Sequence, residues 1–144
     1  MILYLDTSAL VKLYADEQHS PTVREAVADA RMATTHRITY AEIRAAFARK
    51  VSGKRAVQQL ARWRRELDAD WANLHVVEVT EMLIQRAGDL AERYRLRGYD
   101  SVHLAAAEQV AAVAQSGATF AFAVFDTELR DAARKHGLPL LNPG

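Results

Sequence analysis

The sequence predicts a three-layer α/β/α sandwich around a parallel sheet of about five strands, and three observations predict it. Short apolar or β-branched runs alternate with helix-like patterns along the whole chain. Two of those runs, ILYL at 2–5 and TFAFAVF at 119–125, are apolar without alternation, as strands covered on both faces are. No linker, repeat or low-complexity tract divides the 144 residues, a length that a single core can serve, so one domain over residues 1–144 is expected.

The first strand is Ile2 to Leu5, with a helix beginning near Ser8. Ser20-Pro21, a hydroxyl N-cap with proline at the first helical position, opens the next helix, in which Val23, Ala26, Val27 and Ala30 recur at helical spacing. A short strand spans Met32 to Thr35. Thr39 opens a helix with a stripe of Tyr40, Ile43, Phe47 and Val51, broken by Ser52-Gly53. From about Lys54 to Trp71 another helix turns Val57, Leu60, Leu67 and Trp71 inward. LHVVEV, Leu74 to Val79, is a strand by its β-branched content. Thr80 starts a helix carrying Leu83, Ala87, Leu90, Ala91 and Tyr94, ended by Gly98. Asp100 to Gln115 is apolar on several faces and reads as a buried helix, stopped by Gly117. After the strand Thr119 to Phe125 come a last helix, Thr127 to His136, and a final strand, Leu138 to Leu141.

Bulk composition narrows the classes. Half the residues are hydrophobic, which excludes a disordered chain, and the absence of cysteine excludes a disulfide scaffold or a thiolate metal site. The N-terminus has no basic region leading into an apolar one, and no run approaches the roughly 20 apolar residues of a membrane helix. A soluble, cytoplasmic protein is expected. Ten of the 19 Lys and Arg lie between Arg31 and Arg65, beside a single acid, Glu42. That segregation suits a polyanion-binding face, and equally the solvated faces of two helices.

Four acids carry the chemistry. Asp6 and Asp126 directly follow the two most apolar strands, and Glu42 and Asp100 lie at helix starts. In an α/β sheet, strand carboxyl ends and helix N-termini gather at one edge, where ligands bind at the switch in strand order. Each acid also has a plain alternative. Asp6, Asp100 and Asp126 stand where an N-cap would contribute about 1 kcal/mol, and Thr39-x-x-Glu42 has the form of a capping box. Joint placement at one edge is what favours chemistry. Two carboxylates about 4 Å apart at an effective dielectric near 20 repel by about 4 kcal/mol, which protonation or a bound cation relieves. Oxygen donors without Cys or His point to Mg²⁺ or Mn²⁺, ions that clamp phosphate oxygens and acidify water.

These residues lie in LYLDTSALVKLY, TYAEIRAAF, RGYDSVHLAAA and FAVFDTELRDAA followed by HGLPLL, which together span nearly the whole chain. In order and spacing the chain resembles the PIN-domain nucleases, most closely the VapC-type toxins of bacterial toxin–antitoxin pairs. The resemblance implies strand order 3-2-1-4-5 and active-site acids Asp6, Glu42, Asp100 and Asp126. It implies Asp6, Asp100 and Asp126 as ligands of Mg²⁺ or Mn²⁺, the first two foremost, and Ser8 as the hydroxyl residue usual after the first acid. It further implies an endoribonuclease acting on RNA by hydrolysis, a VapB-type antitoxin partner and a homodimer. Two other readings remain open: an RNA-binding module without catalysis, and an aspartyl-phosphate phosphatase, for which Ser8 stands where a second acid belongs. His103, one turn after Asp100, reads as a packed histidine on an apolar helix. Tyr94, Tyr99 and Trp63 read as core or interface aromatics.

Overall fold

The computed structural model describes residues 1–114 and 117–143. Four parallel strands, β1 (Ile2–Leu5), β2 (Met32–His36), β3 (His75–Val77) and β4 (Phe120–Ala123), form a sheet of order β3-β2-β1-β4. Helices α1 (Thr7–Leu10), α2 (Ser20–Asp29), α3 (Thr39–Lys50), α4 (Ala56–Trp71), α5 (Glu81–Tyr94), α6 (Gly98–Val113) and α7 (Thr127–Lys135), with a 3₁₀ turn at Val11–Leu13, complete the described elements.

The sheet has two cores because β1 and β4 are apolar on both faces. Leu3 and Leu5 of β1, with Ala121 and Ala123 of β4, pack under α1–α4 against Leu10, Val23, Ile43, Phe47, Trp63 and Leu67. Tyr4 and Phe122 point the other way, into Leu83, Leu90, Leu104, Val110 and Leu129 of α5–α7. Residues Ser101 to Ala107 of α6 are all buried, as its apolar composition predicts. Burial of this kind is worth roughly 2 kcal/mol per large aliphatic side chain and dominates the stability of such a sandwich.

Leu5 pairs with Ala123, so the residues that follow, Asp6 and the Val124–Asp126 segment, leave the sheet side by side. Asp6 N–H still reaches Ala123 O at 3.3 Å. The switch in strand order thus falls between β1 and its neighbours, with β2 on one side and β4 on the other.

Several boundaries differ from expectation. The fifth strand shrinks to a single parallel bridge between Phe122 and Leu140, on the far side of β4. Pro139 has no N–H to continue a ladder, and only Pro139 O and Leu141 N engage Phe122. The fifth place in the expected order is therefore present in position but not as a strand.

Gly98 does not end α5. Arg95 takes the left-handed conformation there (φ 55°), and Gly98 instead opens α6. Asp100 is consequently the third residue of α6 rather than its cap. Ser20 lies inside α2, whose cap is the left-handed His19, and the Ser20 hydroxyl bonds to Ala15 O. Val57 is 81% exposed rather than inward, and Trp63 takes the buried place on α4. The expected end of the sixth helix at Gln115 lies outside the described residues.

Candidate active site

Asp6 caps α1: its Oδ1 accepts from Ala9 N at 3.0 Å and from the Ser8 hydroxyl at 2.7 Å. Ser8 is fixed in turn by Phe125 N, which donates to its Oγ at 2.9 Å and so ties the end of β4 to the end of β1. Ser8 is therefore a support for Asp6. Asp126 caps α7 through Leu129 N, 3.1 Å from Oδ2. Capping and site placement are not alternatives at these two positions, because a helix start is also where a carboxylate meets the sheet edge.

The other two acids do no capping. Thr39 bonds to the Thr35 hydroxyl beneath it (2.8 Å), and α3 has no side-chain cap, so the capping box is not made. Glu42 turns inward, where its Oε1 accepts from Thr7 Oγ1 at 2.8 Å and lies 2.6 Å from His103 Nε2. Asp100 Oδ2 accepts from Arg97 Nε at 3.2 Å, and the same guanidinium lies 3.8 Å from Asp126 Oδ1. Arg97 therefore bridges two of the four acids.

His103 is packed and hydrogen-bonded, as the sequence suggests, and one of its partners is a candidate site acid. It is buried, with Nδ1 2.9 Å from Tyr4 Oη and Nε2 on Glu42. Its spacing of three from Asp100 puts both on one side of α6, a signal readable in the sequence. Nothing local indicated that Glu42, sixty-one residues away, would come to meet it. Sequence reasoning passed over Thr7 and Arg97. Both are neighbours of motif residues, and their use depends on the chain's path.

The electrostatics follow from burial. Asp6 is buried, which pushes its carboxyl up to about 6, with Asp100 adding to the rise; His103, Ser8 and Ala9 oppose it. Burial and the Asp126 charge likewise raise Asp100, with Arg97 opposing. Glu42 goes the other way. Burial disfavours its charge, but the bonds from His103 and Thr7 outweigh that and hold it below the ordinary range. Burial alone would depress His103, yet Glu42, Asp6 and Asp100 together hold it up. Asp100 is thus coupled to both Asp6 and Asp126, and Glu42 with His103 forms an ion pair at their side. His36 ends β2 fully buried. Its Nδ1 accepts from Ile38 N, its Nε2 has no partner, and burial together with His103 holds it down to about 4.

Three of the four acids use one oxygen locally and keep the other, while Asp126 meets Leu129 N with one and Arg97 with the other. Asp6 Oδ2, Glu42 Oε2 and Asp100 Oδ1 accept no hydrogen bond among the described residues. None of the three is cut off from solvent, since His36 Nε2 is the orphaned buried side-chain atom. Among the described residues, no three Asp, Glu or His side chains already stand close enough to ligate one ion. The three ligands that the resemblance implies therefore do not stand together as a ready-made cage, and a hard cation such as Mg²⁺ would be held by one or two of them with waters and substrate phosphates. The free, hard oxygens of Asp6 and Asp100, whose carboxyls burial and a neighbouring carboxylate both push up, fit such a cation.

With the geometry in hand, the chain can be set beside known proteins. Residues 3–135 match the PIN domain family. Ribonuclease VapC45 and Ribonuclease VapC49, each from Mycobacterium tuberculosis, are both 35% identical over 137 residues, covering 94% of this chain and 92% of the relative. A toxin–antitoxin complex from Klebsiella pneumoniae contains a chain of the same fold. The TM-score is 0.66 at 20% identity, over 99% of this chain and 98% of that one.

Proposed function

Because the chain belongs to the PIN-domain family, we propose that it is a single PIN domain over residues 1–144 acting as a Mg²⁺- or Mn²⁺-dependent endoribonuclease. We infer further that it is the toxin of a toxin–antitoxin pair. The observation that carries the reading is the set of unused oxygens on Asp6, Glu42 and Asp100 at one sheet edge, with Asp126 joined to Asp100 through Arg97. The names of the similar ribonucleases support the reaction class, and the Klebsiella complex supports the antitoxin.

In this reading Asp6 and Asp100 would hold the cation directly, with Asp126, which Arg97 joins to Asp100, at the outside of its shell. When bound, it would neutralise non-bridging phosphate oxygens and acidify water. Ser8 and the Ala9 amide keep Asp6 oriented. Thr7 and His103 lock Glu42 as a carboxylate, which leaves Oε2 to accept a proton from water. Water attacks phosphorus, the bond to O3′ breaks, and the products are a 5′-phosphate and a 3′-hydroxyl. The basic run from Arg31 to Arg65 is exposed at every Lys and Arg, which suits a polyanion.

Incubation with structured RNA and Mg²⁺ tests the reading. Cleavage is expected, with 5′-phosphate ends, abolished by EDTA and by Asp6→Asn with Asp100→Asn. Cleavage that survives EDTA or the double substitution would overturn the mechanism. Retained RNA binding without turnover in either metal would make the chain a binding module. Inhibition by the small protein encoded next to it, added to the same assay, tests the antitoxin partner.

A further inference from the structure

Beside Glu42, a cleft of about 420 Å³ opens on the exposed side of α3, lined by Ile38, Ala41, Glu42, Ala45, Arg49 and Tyr99. Its volume lies within the range of about 300–1,000 Å³ of small-molecule sites. Ala41, Ala45 and Arg49 recur every fourth residue, so the α3 wall is flat and small until it ends in a guanidinium. Arg49 is exposed and makes no ion pair among the described residues. That distinguishes it from Lys50 beside it, which is paired with Glu17.

Tyr99 is an exposed aromatic residue in the first turn of α6. It is 62% exposed and makes no hydrogen bond or ring contact among the described residues, while Ser101 to Ala107 are buried. Packing does not account for an aromatic ring held out over a cleft. Its chain neighbour is Asp100, so the ring and a site carboxylate leave consecutive Cα atoms about 3.8 Å apart. The cleft thus combines an open π-face, a flat wall and an uncompensated cation, and it ends at an active-site acid.

We propose that this cleft is a nucleobase subsite: it takes one unpaired base of the RNA next to the scissile phosphate, stacked on Tyr99, with Arg49 on the adjoining backbone phosphate. The inference rests on the nuclease reading of the neighbouring acids. Stacking needs only a π-face, so the subsite selects single-stranded RNA over a duplex rather than one base over another. An exposed guanidinium without an ion pair among the described residues complements a backbone phosphate at the end of the cleft.

The test uses the full chain in EDTA and a short fluorescein-labelled single-stranded RNA, with an abasic ribose moved through it one position at a time. Tyr99→Ala is expected to weaken binding about tenfold or more, and Tyr99→Phe by no more than about twofold. Arg49→Ala should flatten the slope of log affinity against log salt by about 0.7. At one position, the abasic site should weaken the wild type as much as Tyr99→Ala does, with little further loss when the two are combined. Wild-type affinity in Tyr99→Ala, or losses that multiply at every position, would overturn the subsite and leave the cleft to a protein partner. Cleavage assayed separately in Mg²⁺ keeps the two readings apart. Tyr99-dependent binding without cleavage retains the subsite and removes the nuclease, and cleavage with Tyr99-independent binding does the reverse.

Discussion

Asp6 is buried and charged in a place where charge is expensive. A carboxyl titrating near 6 instead of 3.8 carries its charge at neutral pH at a cost of about 3 kcal/mol. Its folded value is raised, so the folded state binds more protons between those values, and Asp6's contribution to stability falls as pH rises from 3.8 to about 6. Asn keeps an acceptor for Ser8 and Ala9 without the charge. Asp6→Asn is therefore expected to raise the urea midpoint at pH 7 by the equivalent of about 1–2 kcal/mol, while lowering activity about 100-fold or more. A less stable Asp6→Asn would show that the charge is compensated in the fold. His103 follows the same direction with pH for a different reason, since its charge is stabilised in the fold and that of Asp6 is penalised. Its folded value is raised, so its pairing with Glu42 is fully present below pH 6.5 and fades as pH rises through that folded value. His103→Gln is expected to destabilise by about 3 kcal/mol at pH 5.5 and by less at pH 9. Urea titrations at the two pH values check this, and an equal loss at both would contradict it.

At the scale of elements, α6 matters most because its first turn carries Tyr99 and Asp100 and its second carries His103. Its middle is held from behind. Glu108 accepts two bonds from Arg86 of α5 at 2.8 Å and lies 2.5 Å from His136 at the end of α7, while Tyr94 of α5 lies 2.7 Å from the same imidazole. The Arg86 bonds, with His136 helping against burial, hold the Glu108 carboxyl down to about 2. A lowered carboxyl stabilises above its ordinary value and loses that contribution as pH falls, here from 4.5 to about 2. Glu108→Gln is expected to cost about 1–2 kcal/mol at pH 7 and almost nothing at pH 2. Comparing urea midpoints at the two pH values would show it. The helix pattern of α6 was legible from its apolar run, but its start was not. Gly98 reads as a stop after α5, and only the left-handed Arg95 shows that α5 had already ended. The shortened fifth strand has the same kind of cause, since Pro139 removes a donor that an apolar pattern does not record.

For the whole molecule, charge and topology work together. Ten exposed bases lie between Arg31 and Arg65, six of them on α3 and α4 and four in the loops beside β2 and between those helices. Three of the four acids, by contrast, lie at the ends of β1 and β4 and on α6. A cation that binds only the folded edge must stabilise the fold by mass action, by about 2.7 kcal/mol at 100 times its dissociation constant. Mg²⁺ or Mn²⁺ is expected to raise the thermal midpoint of the wild type and to leave that of Asp6→Asn with Asp100→Asn unchanged. A metal-induced rise of equal size in both proteins would place the cation elsewhere.

Local sequence determined most of the element types and the two-sided burial of β1 and β4, and singled out four acids as candidates, because apolar periodicity and strand-end position are properties of neighbouring residues. Tertiary structure alone decided that Glu42 faces His103 instead of capping α3, that Arg97 joins Asp100 to Asp126, and that Tyr99 stands open beside them. Those contacts join residues from separate elements, some of them far apart along the chain. Which side chain meets which is set by how α3 and α6 settle against the sheet, and no local pattern carries that information.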